Sequence, residues 1–101
     1  MTTKELLDEL HPGKTISEDV LVPLGMSVNA LAKKLHVPVT RLNDIVRGRR
    51  GVSADTALRL SRYLGTSAEY WLNLQSIYEL RVAEQGKGRL ITKQVRPRDA
   101  A

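Results

Sequence analysis

Five neighbouring residues, Val39, Thr40, Arg41, Asn43 and Asp44, have side chains of the types that read base-pair edges. An arginine offers paired donors to guanine O6 and N7, and an asparagine bonds adenine in two places. Threonine and valine touch a thymine methyl, and an aspartate accepts from the cytosine amino group. Asp44 is equally suited to an ion pair with Arg41 or Arg47. Arg47, Arg49 and Arg50 follow at once, and with Ser27 and Ser53 they suit phosphate oxygens. Other chemistry is poorly supplied. Cysteine is absent, and the two histidines, His11 and His36, lie in different segments without metal-ligand spacing. Ser27, Ser53 and Ser67 read as helix caps rather than nucleophiles. No catalytic residue, metal site or cofactor is expected.

The elements that must position these residues read as helices. The apolar residues are mainly Leu, Ala and Val, with no Phe, which suits packed helices better than a sheet. Residues 1–14 read as a polar arm ending in a turn at His11-Pro12-Gly13. Ile16, Val20 and Leu24 give helical spacing from Thr15 to about Val22, stopped by Pro23 and Gly25. A second helix starts at Ser27 and carries Leu31, Ala32 and Leu35. A third starts at Pro38 and carries Leu42, Ile45 and Val46, with Gly48 beyond its end. Ser53 opens a fourth, closed by Gly65. Ser67 opens a fifth, which fades near Ala83. Residues 84–101 read as a basic tail whose segment Arg89 to Val95 could order as a strand on a partner.

Residues 27–48 have the layout of a helix-turn-helix. Two short helices cross through a tight turn, with Ala32 small enough for the crossing and Leu42 and Ile45 anchoring the second helix. The turn needs a residue that tolerates positive φ; His36 stands there, and Val37 can plug the turn into the core. Projection at about 100° per residue puts Thr40, Asp44 and Arg47 opposite the apolar stripe, flanked by Arg41 and Asn43. Helical bundles also use such pairs, but they have no need of three arginines at one corner. A monomer makes few DNA contacts, and dimers bind half-sites about one helical turn apart. The fifth helix is apolar over a wide arc, and Tyr70, Leu74, Ile77 and Tyr78 are the expected dimer surface.

Charge divides the 101 residues. The net charge is +5, with residues 1–26 at −3 and residues 27–101 at +8. A basic body suits a polyanion. No stretch approaches the roughly 20 apolar residues of a membrane span, and the N-terminus lacks a signal-peptide pattern. A cytoplasmic location is expected.

A longer pattern surrounds the motif. It includes His11-Pro12-Gly13, Pro23-Leu24-Gly25, Leu31-Ala32, Leu42-Asn43 and Ile45-Val46. It continues with the run from Arg49 to Leu60, the run from Gly65 to Gln75, and Tyr78-Glu79-Leu80. On these residues, over about 11–83, the chain resembles the HigA-type antitoxins of the lambda-repressor-like (XRE) helix-turn-helix family. The resemblance implies an all-α, five-helix domain and a homodimer that represses its own operon at a palindromic DNA operator. It also implies a toxin partner resembling the HigB ribonucleases, which cleave mRNA on the ribosome. Similar proteins often carry more arginine where this chain has Val39 and Thr40, and the wider superfamily often has Gln at Val28. The operator sequence therefore does not carry over. A ribonuclease must be basic, so Glu5, Asp8, Glu9, Glu18 and Asp19 are the expected toxin-facing residues. A free-standing transcriptional regulator without a toxin would show the same DNA contacts.

Overall fold

A computed structural model describes residues 1–99, and they form six helices with no strand. Helix α1 is Thr3–Leu10. Helix α2 runs without a break over 12–24, as Pro12–Thr15, a π-helical turn Ile16–Leu21, and Val22–Leu24. Helices α3 (Val28–Leu35) and α4 (Val39–Val46) form the helix-turn-helix pair. Helix α5 is Ala54–Leu64 and α6 is Ala68–Gln94. The five expected helices are α2 to α6.

The added helix, α1, falls in the segment read as a polar arm. The Thr2 hydroxyl caps it by accepting from the Glu5 N–H at 3.2 Å. Leu7 is half-buried where α1 lies along Arg81 and Gln85 of α6. Leu6, Leu7 and Leu10 repeat the spacing of Leu31, Ala32 and Leu35, so a helical signal was present in the segment read as an arm.

His11-Pro12-Gly13 begins a helix instead of making a turn. The buried His11 ring caps α2, its Nδ1 accepting from the Gly13 N–H at 2.9 Å. Pro12 follows at the first helical position, where a missing N–H costs nothing. Gly13 meets the end of α4 so closely that a Cβ would overlap the Ile45 carbonyl oxygen and lie 2.8 Å from its carbon. Pro23 sits inside the last turn of α2, just after the π-helical turn, which changes the bonding that a proline would otherwise break. Gly25, in the left-handed region, ends the helix.

The expected caps hold. Ser27, Ser53 and Ser67 accept from the N–H groups of Ala30, Thr56 and Tyr70 at 3.1, 3.3 and 3.1 Å. His36 has φ +56°, the one positive-φ residue besides glycine among the described residues. Its N–H reaches the Lys33 carbonyl and that of Val37 the Ala32 carbonyl, which closes α3 as a Schellman motif. Val37 is buried behind the turn.

The core gathers Ile16, Leu31, Ala32, Leu35, Leu42, Ile45, Leu60 and Trp71. The Trp71 ring N–H donates to the Thr66 hydroxyl at 2.9 Å. Helix α6 does not fade at Ala83. It continues to Gln94, so Arg89 to Gln94 is helical and not a strand. Gly86 and Gly88 each cost about 0.5–1 kcal/mol there, but their neighbours are strong helix formers, and Arg81 pairs with Glu84 at 3.1 Å. No helix of the described residues is long and apolar enough to cross a membrane.

Replacing Gly13 with Ala forces α2 and α4 apart. A loss of about 1–3 kcal/mol is expected, read as a lower denaturation midpoint; an unchanged midpoint would mean that the contact yields freely.

Candidate nucleic-acid interface

Helix α4 turns Leu42 and Ile45 fully inward and leaves Val39 and Thr40 exposed at its first turn. Arg41, Asn43 and Asp44 are half-exposed beside them, and Arg47, Arg49 and Arg50 are exposed beyond its end. The base-reading candidates therefore lie on the outer side of one short helix, with the arginines in the segment that leaves it.

That segment is held at both ends. Gly48, at φ +76°, bends the chain out of α4; its N–H reaches the Ile45 carbonyl, and the Arg49 N–H reaches the Asp44 carbonyl at 2.8 Å. At the far end the Val52 N–H donates to Oε1 of the buried Gln75 at 2.8 Å. Gln75 also donates to Glu79 at 3.2 Å. Nothing in the sequence distinguishes Gln75 from a solvated residue of α6.

Several candidate side chains are already engaged. Asp44 pairs with Arg49 at 3.4 Å, not with Arg41 or Arg47. Arg41 pairs with Asp55 at 2.9 Å, and Asp55 also holds Arg59 at 2.9 Å. Arg59 first, and then Arg41, keep the Asp55 carboxyl below the usual carboxylate range. The Ser53 hydroxyl directs its hydrogen to the Thr56 oxygen at 3.2 Å. Ser27 is exposed at the cap of α3. Sequence reading missed Asp55 and Arg59 as partners of the motif; their i, i+4 spacing was visible, but the pairing across 14 residues to Arg41 was not.

The expected dimer residues divide. Tyr70 and Ile77 face outward, 42% and 46% exposed, with Leu80 beside them at 54%. Leu74 packs on the core, and Tyr78 turns inward with its ring edge-on to His11, centroids 4.7 Å apart. Of the acidic residues, Glu9 and Glu18 are drawn together by Lys14, at 3.6 and 3.2 Å, and Asp8 pairs with Lys4 at 3.9 Å. Glu5 and Asp19 are exposed. Among the described residues no three metal-ligating side chains converge.

Known proteins share this arrangement. Residues 18–71 match the helix-turn-helix family. Virulence-associated protein I of Dichelobacter nodosus is 52% identical over 84 residues, 83% of this chain and 78% of that protein. The structure of the Pseudomonas aeruginosa antitoxin HigA with the higBA promoter superposes with a TM-score of 0.86. It is 44% identical and covers 88% of this chain and 97% of that one. The antitoxin GraA in complex with its operator gives a TM-score of 0.85 at 47% identity, over 89% and 91% of the two chains.

Burial holds the His11 imidazole below its ordinary pKa, against a smaller opposite effect from Asp8. The unfolded chain therefore binds more protons in that range. The stability that His11 contributes is complete above about pH 6.5 and is lost as pH falls below it. Thermal melts should show this loss, and His11→Asn, which keeps a cap acceptor but cannot titrate, should show less of it. An equal pH dependence in both proteins would contradict the assignment.

Proposed function

The chain belongs to the helix-turn-helix family, in the branch that holds the HigA antitoxins, and from that premise we propose that it is a sequence-reading DNA repressor of its own operon and the antitoxin of a basic ribonuclease toxin. The observation that carries the DNA reading is the outer side of α4. Readers of base edges stand on its exposed first turns, while Leu42 and Ile45 fix the helix from behind. Val39, Thr40, Arg41 and Asn43 face base edges, with Asp44 in a secondary place because Arg49 already holds it. Arg47, Arg49, Arg50 and the cap of α3 at Ser27 take phosphates. At Ser53 the backbone N–H groups opening α5 serve, because the hydroxyl hydrogen is committed to Thr56.

The protein acts as a homodimer on a palindromic operator, joined through the outward face of Tyr70, Ile77 and Leu80. Leu74 borders that face, and Tyr78 supports it from within. It performs no catalysis and works in the cytoplasm. The HigA and GraA relatives are antitoxins solved with promoter or operator DNA, which supports this reading. The toxin is met by the acidic face of α1 and α2, where Glu5, Asp8, Glu9, Glu18 and Asp19 outnumber Lys4 and Lys14. Its negative charge speeds association with a protein built to hold RNA. Unchanged toxin affinity after charge reversal at Glu18 and Asp19 would remove this assignment.

The test is binding to the duplex just upstream of the protein's own gene across a salt series. Wild type should bind tightly, and the slope of log affinity against log salt should fall by about one in Arg50→Ala. Arg41→Ala should lower preference for this duplex over an unrelated one by roughly 5- to 150-fold. Binding that is equal for both duplexes in both proteins would leave the motif as a scaffold.

A further inference from the structure

Arg41 is a reader whose guanidinium is already anchored. Its Nη1 donates to Asp55 Oδ2 at 2.9 Å, and the same oxygen accepts from Arg59 Nε at 2.9 Å. Arg59 also reaches the motif's own turn, donating from Nη1 to the carbonyls of Leu35 at 3.1 Å and His36 at 3.3 Å. A continuous chain of charged hydrogen bonds thus runs from the turn through Arg59 and Asp55 to Arg41. It ties the first turn of α5 to both helices of the motif.

The anchor uses part of what Arg41 can donate. A guanidinium has five N–H groups in a planar fork, and the Arg41 side chain remains 31% exposed. A long side chain loses rotamer freedom when it binds, and one held in place beforehand loses less. Asp55 also has an opposite effect. Its carboxylate lies 55% exposed on the same face and repels phosphate. Aiming Arg41 helps only where a guanine meets it, whereas the repulsion opposes binding to every duplex.

Resting on the reading of α4 as the base-reading helix, we propose that Asp55 is a positioning residue that sets the selectivity of Arg41 at the expense of affinity for DNA in general. This signature differs from a structural role. A residue that only supported the fold would, on removal, weaken binding to every duplex.

The experiment compares wild type, Asp55→Asn, Asp55→Glu, Arg41→Ala and the Arg41→Ala/Asp55→Asn double variant. Each is measured on the duplex upstream of the gene and on the same duplex with single base pairs replaced, with a thermal melt of each protein. Asp55→Asn should bind the unrelated duplex a few-fold more tightly while losing roughly tenfold in discrimination at one base pair. The same base pair should lose its effect in Arg41→Ala, and the double variant should lose no more than Arg41→Ala alone. Asp55→Glu keeps the charge but displaces it by one methylene; it should lose discrimination without gaining general affinity. Full discrimination in both Asp55 variants, or losses that multiply in the double variant, would overturn the proposal. Full discrimination in Arg41→Ala would instead overturn the reading of Arg41 on which it rests.

Discussion

A helix of eight residues does not hold itself together in water, yet α4 must present its side chains at fixed positions. Its order comes from what it docks against. Leu42 and Ile45 are fully buried among Ile16, Leu31 and Leu60. At its far end the backbone of Ile45 lies against Gly13, where no side chain would fit. The rest of the molecule follows from that constraint. His11 and Pro12 place Gly13 by starting α2 at the right residue, and Gln75 fixes the exit of the arginine segment. Arg59 ties the turn to α5.

Much of this was legible in the sequence because it is local. Ser27, Ser53 and Ser67 cap helices through bonds to residues three positions on. His36 could be assigned to the left-handed turn because a helix-turn-helix needs such a residue there. What the sequence hid depends on contacts between distant segments. Gly13 looked like part of a turn because its partner, Ile45, lies 32 positions away. Asp55 was assigned no role of its own, because its bond to Arg41 crosses 14 positions. Helix α6 was expected to fade because glycines 86 and 88 oppose helix locally, while α1 lies along it from the other end of the chain.

The division of charge has a structural counterpart. The acidic excess is confined to α1 and α2, and the arginines cluster where α4 gives way to α5. Lys14 draws Glu9 of α1 and Glu18 of α2 together, while Asp8 and Lys4 share a groove with Arg47. At Gly13 the acidic helix α2 packs directly against α4, just before the arginine segment.

The most direct test of sequence reading by α4 is selection of duplexes from a random pool by the purified protein, followed by sequencing of what it retains. The account predicts enrichment of a two-fold-symmetric sequence whose half-sites lie about 34–36 Å apart along the duplex. A retained pool with no common sequence would contradict it.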